Sequence, residues 1–156
     1  LDEIMYGKKT VYNTDDEGFK VVKGTFNESA NTNNSDSSKE LIGMDAGAEA
    51  IWTMTAKGDT TYEIFYYHRP ADGNDNAVEV IITGKDGTYR TKVDMTAGKE
   101  GYKSLGTFKF TSDNAAIGIT SVIFRGSGNG KMPISTVYIR ETTSDKPDML
   151  KPENQK

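Results

Sequence analysis

Short runs of alternating hydrophobic and polar residues, separated by turn residues, dominate the chain. The clearest are Thr61–Arg69, Ala77–Gly87 and Tyr102–Phe110. Alternation over about four to eight residues is typical of strands that bury one face and expose the other. The pattern therefore predicts an all-β fold of antiparallel strands.

Roughly nine or ten such strands follow one another without a repeated unit, which favours a two-sheet antiparallel β-sandwich over a propeller or a solenoid. The clearest hairpin turns at Asp86-Gly87. Gly24 interrupts one strand, where a bulge or a close backbone approach is expected. The predicted strands are Thr10–Asn13, Phe19–Phe26, Lys39–Met44, Ala48–Thr55, Thr61–Arg69, a run beginning at Val78, Thr88–Met95, Leu105–Phe110, Ala115–Arg125 and Pro133–Glu141.

These segments fit one domain, because 156 residues can bury a single core without disulfide or metal support. We place the domain at residues 10–141, after a lead-in at residues 1–9. Residues 142–156 are polar and aperiodic, so a tail or linker is expected. The polar tract Asn27–Ser38 is expected to form an exposed, mobile loop.

Composition narrows the classes of function. With 19 basic and 23 acidic residues, a net charge of −4 and no Lys/Arg cluster among aromatic residues, the chain is not expected to bind nucleic acid. It has no Cys, which excludes disulfides, thiolate zinc sites and a Cys nucleophile. No stretch approaches the roughly 18 apolar residues of a membrane span. The chain begins at Leu1, which favours an excised piece of a longer protein.

The strongest candidate site is the side of Thr61–Arg69 that alternation turns away from the core. The even-numbered positions are predicted to face the interior, so Phe65, Tyr67 and Arg69 point outward together. Flat aromatic rings stack on the C–H faces of sugars, and planar polar groups bind sugar hydroxyls. This set of residues therefore suits a glycan.

Two residues of the following strand, Ile81 and Glu79, are expected to lie beside that set. Packing beneath a loop or against a neighbouring domain is the favoured alternative for the same patch, since exposed apolar patches mark interfaces between proteins as often as ligand sites. Tyr89 and Tyr102 lie near turns, at the edge of the core or at the rim of the ligand site, and complete the candidate ligand-binding set. Trp52 is predicted to be a core residue.

No constellation of residues indicates a reaction. His68 is the only His, which excludes a two-His metal site and favours a structural role. Glu63 and Glu79, predicted on adjacent strands, have the spacing that glycoside hydrolysis requires. Nothing around them predicts an active-site pocket, so we predict that the protein is not an enzyme.

Two loops are weighed as ligand sites. Asp72–Asn76 begins like a calcium loop, but Ala77 replaces the required Gly and Thr83 stands at the twelfth position in place of Glu. An EF-hand is excluded, while a structural calcium in this loop stays open. Gly126–Lys131 lacks the spacing and the following helix of a phosphate-binding loop, so it is interpreted as a connector. No metal ligand and no cofactor is predicted.

Five short motifs, in order between about Val11 and Glu141, carry a resemblance to a known family. In this order and spacing the sequence resembles the golvesin and xanthan-lyase carbohydrate-binding-like domain family. It departs from the family at Ser135-Thr136-Val137, where Asp-Ala-Val is usual, and at Tyr102-Lys103-Ser104, where an aromatic resembling Trp-Pro is common. The motifs are Tyr12, Asp16, Gly18 and Phe19; Trp52-Thr53; Thr61-Tyr62-Glu63-Ile64; Asp86-Gly87-Thr88; and Leu105–Phe110.

The resemblance implies a jelly-roll β-sandwich that serves as an accessory module in bacterial secreted proteins, and it implies sugar binding. We therefore expect a non-catalytic carbohydrate-binding-like module of a larger protein, extracellular or in the cell envelope. The expected partners are a polysaccharide or glycan and a neighbouring domain. The alternative is a structural domain that docks on another domain or protein without binding a glycan.

Overall fold

The computed structural model describes residues 9–37, 39–56, 60–84, 87–110 and 118–142. These residues form twelve strands and no helix, so none of them belongs to a helix that could span a membrane. The strands are β1 (Lys9–Asn13), β2 (Phe19–Lys23), β3 (Phe26–Glu28), β4 (Leu41–Gly43), β5 (Glu49–Ala56), β6 (Thr60–His68), β7 (Val78–Gly84), β8 (Gly87–Val93), β9 (Gly101–Phe110), β10 (Gly118–Arg125), β11 (Met132–Ile134) and β12 (Thr136–Glu141).

The strands pair antiparallel in three sheets. Sheet A has the order β1-β12-β6-β9, sheet B has the order β2-β5-β10-β7-β8, and a small third sheet has the order β11-β4-β3. The inward side chains of sheets A and B meet in one hydrophobic core. The predicted two-sheet antiparallel jelly-roll sandwich is confirmed.

The alternation of β5 places its even-numbered side chains in this core. Trp52 is only 1% exposed, and its ring packs against those of Phe19 and Phe124, with centroids 4.8 and 5.8 Å away. The indole Nε1 donates a hydrogen bond of 3.1 Å to the carbonyl of Asn13. A buried Trp needs such a partner for its N–H, and the prediction that Trp52 is a core residue is confirmed.

Two predicted strands are each divided in the structure. The run Phe19–Phe26 breaks at Gly24, so that β2 joins sheet B and β3 joins the third sheet. Gly24 has a φ of +81°, and a Cβ there would lie 2.9 Å from the Cα of Ala48, so only glycine fits. The run Pro133–Glu141 breaks at the buried Ser135 into β11 and β12.

The hairpin predicted around Asp86-Gly87 is confirmed in its strands. β7 and β8 pair from Val78 opposite Val93 to Gly84 opposite Gly87. Asp86 itself lies outside the described residues. So do residues 1–8 of the lead-in, residues 143–156 of the tail, and the start of the strand predicted from Ala115.

The consecutive strands β6 and β7 lie in different sheets. Both bury one face in the same core, so they are stacked across it rather than paired edge to edge. The prediction that Ile81 and Glu79 lie beside Phe65 is therefore wrong. For the same reason Glu63 and Glu79 are not on adjacent strands, and the carboxylate pair considered for glycoside hydrolysis is not formed.

Candidate functional site

The candidate site lies on the outer face of sheet A, where β6 alternates strictly between its two sides. Ile64, Tyr66 and His68 are buried, while Phe65 and Tyr67 on the other side are half-buried. The predicted orientation of the strand is confirmed. A single-residue slip in register would exchange the two sets, and burial of the first set in the core prevents it.

Four aromatic side chains form a continuous row across β9, β6 and β12, which we call the aromatic face: Phe65, Tyr67, Tyr102 and Tyr138. The rings of Phe65 and Tyr138 are stacked, with centroids 4.4 Å apart and an angle of 13°. Tyr102 meets Tyr138 edge-on at 4.7 Å and Tyr67 edge-on at 5.3 Å. Stacked and edge-to-face pairs at these distances stabilise one another beyond the area that they bury.

One part of the aromatic face is covered by charged side chains. The Lys9 Nζ lies 5.2 Å from the ring centroid of Tyr138 and 5.4 Å from that of Tyr102. The Arg140 guanidinium lies 5.7 Å from the Tyr138 ring. Tyr138 is consequently 7% exposed, whereas Phe65, Tyr67 and Tyr102 stay half-buried. The accessible part of the face is therefore on the β6 and β9 side.

A polar loop folds over sheet A next to Lys9 and Tyr102. We call residues 29–37, 39 and 40 the covering loop. Asp36 pairs with Lys9 at 2.9 Å and accepts a hydrogen bond of 2.8 Å from the Tyr102 hydroxyl. The buried Asn34 side chain donates to the Thr136 hydroxyl at 2.9 Å. The predicted loop Asn27–Ser38 is thus corrected, because it begins inside β3 and is anchored in part to sheet A.

Two sets of polar side chains form a polar rim beside the aromatic face: one is centred on Glu100, and the other is the ion pair of Arg69 with Glu40. The Tyr67 hydroxyl donates to Glu100 Oε2 at 2.6 Å, and Asn33 donates to Glu100 Oε1 at 3.2 Å. Arg69, just after β6, pairs through Nε with Glu40 Oε2 at 2.7 Å. Glu40 is 3% exposed, and its Oε1 is buried without a hydrogen-bond partner among the residues that the structure describes. The rim therefore offers both donors and acceptors beside the rings.

The electrostatics fix the protonation states of these groups. Burial, followed by the hydrogen bond to Glu100, raises the pKa of Tyr67 to about 12. Burial, followed by the hydrogen bond to Asp36, also raises the pKa of Tyr102. The hydrogen bonds from Lys9 and Tyr102 lower the pKa of Asp36. At neutral pH the site therefore presents neutral phenols and an ionised aspartate.

Four of the five predicted ligand-binding residues come together. Phe65, Tyr67 and Tyr102 belong to the aromatic face, and Arg69 lies on its rim. Tyr89 does not join them, because it lies on β8 in sheet B and its ring packs against Phe108 in the core, with centroids 5.2 Å apart. Its position near a turn did not indicate whether its side chain points into the core or toward solvent.

Tyr138 and the acidic residues of the covering loop and the rim are not predicted from the sequence. Alternation within Pro133–Glu141 already places Tyr138 on the other side of the strand from Val137 and Ile139, which are buried in the core. What the sequence did not reveal is that β12 pairs with β6, which brings Tyr138 directly opposite Phe65. No pattern in the sequence pointed to Asp36, Glu40 or Glu100.

Glu63 and His68, the two residues considered for catalysis, are engaged in hydrogen bonds within the protein. Glu63 on the outer face of β6 accepts a hydrogen bond of 2.5 Å from Ser104, and both ring nitrogens of His68 are hydrogen-bonded within the protein. In the part of the chain that the structure describes, no three His, Cys, Asp or Glu side chains are grouped as metal ligands. Asp75 of the loop considered for calcium accepts hydrogen bonds from Ala77 and from Ser127.

Comparison with known proteins places this geometry in context. The family model of the Golvesin C-terminal domain matches residues 9–123. No curated protein matches the sequence. Xanthan lyase from Paenibacillus is similar in structure, with a TM-score of 0.74 and 17% identity over 87% of this chain. The chain corresponds to only 13% of the length of that lyase.

Two isolated binding modules share the fold at nearly full length. A CBM35 module of Abf62 from Cellvibrio japonicus has a TM-score of 0.57 and 13% identity, and the match covers 86% of this chain and 95% of the module. A family 35 carbohydrate binding module from an environmental isolate has a TM-score of 0.54 and 12% identity, with coverage of 88% and 96%. At such low identity the similarity establishes the fold alone.

Proposed function

The chain belongs to the Golvesin C-terminal domain family, and we propose that it is a non-catalytic carbohydrate-binding module of a larger bacterial protein, extracellular or in the cell envelope. Its ligand is a polysaccharide or glycan, and its second partner is a neighbouring domain of the same longer chain. The fold shared with isolated carbohydrate-binding modules supports this proposal.

The single observation that carries the proposal is the row of rings on the aromatic face with polar groups at its rim. A sugar has an apolar C–H side and a hydrogen-bonding edge, so it needs a ring and a polar group close together. Phe65, Tyr67 and Tyr102 supply half-buried rings, and Arg69 and the Tyr67 hydroxyl lie beside them. Because the surface is shallow and buries little of a ligand, we expect weak affinity.

The test is affinity electrophoresis and glycan-array screening of the isolated domain. We expect retention on at least one polysaccharide, and we expect Phe65→Ala and Tyr67→Ala to abolish it while the melting temperature stays within a few degrees of wild type. Arg69→Ala should also weaken retention. Arg90→Ala is the matched control, because Arg90 is an exposed arginine on the outer face of sheet B. Absence of retention on every polysaccharide would contradict the proposal.

A docking function is the second candidate, and a separate observation favours it. Val21 and Val22 on β2 are 44% and 48% exposed, and Met44 after β4 is 38% exposed. Apolar side chains left in water at a sheet edge are suited to contact with another domain. Small-angle scattering that shows a dimer, dissociated by Phe65→Ala or by Val22→Ser, would support docking over glycan binding.

A further inference from the structure

A polar cleft of about 360 Å³ opens between sheets A and B along the β8 and β9 side of the sandwich. This volume falls within the roughly 300–1,000 Å³ of small-molecule sites. The walls come from β6, β8, β9 and the segment that joins β8 to β9. The cleft lies on the inner side of sheet A, so it is separate from the aromatic face on the outer side.

The cleft exists because the core pattern is broken at this edge. Lys103 on β9 pairs with Tyr66, and Gly101 pairs with His68, so both lie on the inner side of sheet A, where Lys103 is exposed at the edge strand. On β8, Thr91 pairs with the buried Val80 and faces the same interior. Positions that would carry large apolar side chains in a closed sandwich thus hold a charged residue, a glycine and a threonine. Polar residues at such positions serve either a binding site or the protection of a sheet edge.

The floor of the cleft is a fixed hydrogen-bonded chain. His68 Nε2 donates to the carbonyl of Ala97 at 2.7 Å, so in the neutral ring Nδ1 accepts the hydroxyl proton of Tyr66, also at 2.7 Å. His68 and Tyr66 are both buried, and burial raises the pKa of Tyr66. The two hydrogen bonds fix the orientation of both side chains, and the raised pKa keeps the Tyr66 phenol neutral at neutral pH, with Asp94 close enough to contribute to that shift.

Lys103 supplies a positive charge at the mouth of the cleft. Among the described residues no ion pair includes Lys103. Its Nζ reaches toward the floor, because a Cβ placed at Gly98 would lie 3.3 Å from that atom and 3.5 Å from His68 Nε2. Among the lining residues that the structure describes, Asp94 is the only acidic one, and its Oδ1 accepts from the backbone and hydroxyl of Thr96 at 2.8 and 2.5 Å.

We propose that this cleft is a second binding site, which takes a small carboxylate held by Lys103. The carboxylate belongs either to a free organic acid or to a single acidic sugar unit. An ammonium group pairs with a carboxylate through a charge-assisted hydrogen bond, and the Thr91 hydroxyl lines the same space. The proposal does not depend on the aromatic face or on glycan retention.

The test is an NMR titration of the ¹⁵N-labelled domain at neutral pH and constant ionic strength, with sodium acetate, sodium glucuronate and glucose as separate ligands. We expect saturable shifts at the amides of Gly98, Gly101 and Lys103 with acetate or glucuronate, and none with glucose. Lys103→Met should weaken the response about tenfold or more, as expected for loss of a hydrogen bond to a charged group. Lys20→Met, an exposed lysine on β2, is the matched control and should titrate as wild type.

The two acids distinguish the source of the carboxylate. Tighter binding of glucuronate indicates an acidic sugar, and equal binding indicates any small organic acid. Chemical-shift changes at the amides of all lysines, or an unchanged response of Lys103→Met, would contradict the proposed site. If Lys103→Met self-associates and titrates as wild type, the lysine instead protects a sheet edge. Tyr67→Ala should keep this carboxylate response even if it loses polysaccharide retention, so the two proposals fail independently.

Discussion

At the scale of single residues, Asp36 is the contact that joins the covering loop to the aromatic face. Its hydrogen bonds from Lys9 and Tyr102 lower its pKa below the ordinary value of 3.8. A lowered carboxyl pKa stabilises the folded state fully above the ordinary value, and this contribution is lost as the pH falls through the lowered value. The covering loop should therefore be less firmly held in acid.

We expect Asp36→Asn to lower the free energy of unfolding at neutral pH by up to about 1 kcal/mol, the range of a partly exposed ion pair. The difference from wild type should shrink as the pH falls below 3.8. Urea denaturation at a series of pH values measures it. Asp15→Asn, in an exposed turn, is the control. A difference between the wild type and Asp36→Asn that stays constant down to the lowest pH would contradict this role.

Trp52 has the largest fully buried side chain among the residues that the structure describes. Its ring contacts Phe19 and Phe124, and its N–H reaches Asn13 on sheet A, so it connects both sheets. We expect Trp52→Ala to lower the free energy of unfolding by about 3–5 kcal/mol, as large-to-small core substitutions do. Chemical denaturation measures this, and an unchanged unfolding curve is incompatible with the packing described.

At the scale of elements, alternation predicted which side of each strand enters the core but not which strands pair. The inward set of β6 and the position of Trp52 depend on a period within one strand, so they could be predicted locally. The pairing of β6 with β12 and β9 joins segments far apart in sequence and depends on the packing of the whole core. For this reason Ile81 was misplaced and Tyr138 was missed.

Gly24 divides β2 from β3, and its backbone gives a matched pair of substitutions. Gly24 and Gly47 have φ values of +81° and +75°, but a Cβ at Gly47 would meet no atom of the described residues within 4 Å. Gly47→Ala should therefore cost only the left-handed backbone strain, about 1–2 kcal/mol. Gly24→Ala should cost more, because its Cβ would also clash with the backbone of Ala48. Thermal denaturation compares the two, and equal costs would disprove the steric contribution.

At the scale of the whole molecule, the connections at one end of the sandwich meet at Asp75. This residue is fully buried, and its carboxylate accepts from the backbone and hydroxyl of Ser127, each at 2.6 Å, and from the backbone of Ala77 at 2.8 Å. Its backbone also bonds to Lys131 and Met95. Segments that follow β6, β8 and β10 are thereby joined.

We expect Asp75→Asn to lower the free energy of unfolding by about 1.5–3 kcal/mol, because it replaces charge-assisted hydrogen bonds and leaves a buried donor poorly matched. Hydrogen exchange should show the loss throughout both sheets rather than in the loop alone. Asp72→Asn, exposed in the same loop, is the control. Faster exchange confined to residues 71–77 would show that Asp75 acts only locally.

The covering loop is held to sheet A by the side chains of Asn34 and Asp36, and to Arg69 just after β6 by Glu40, whereas the strands beneath are joined by backbone hydrogen bonds. Substitutions in such a loop alter a few contacts and leave the scaffold intact. Substitutions in the covering loop can thus change how much of the aromatic face is accessible while the sandwich itself stays unchanged. In this molecule, ligand selectivity can therefore change by substitution without a loss of the ability to fold.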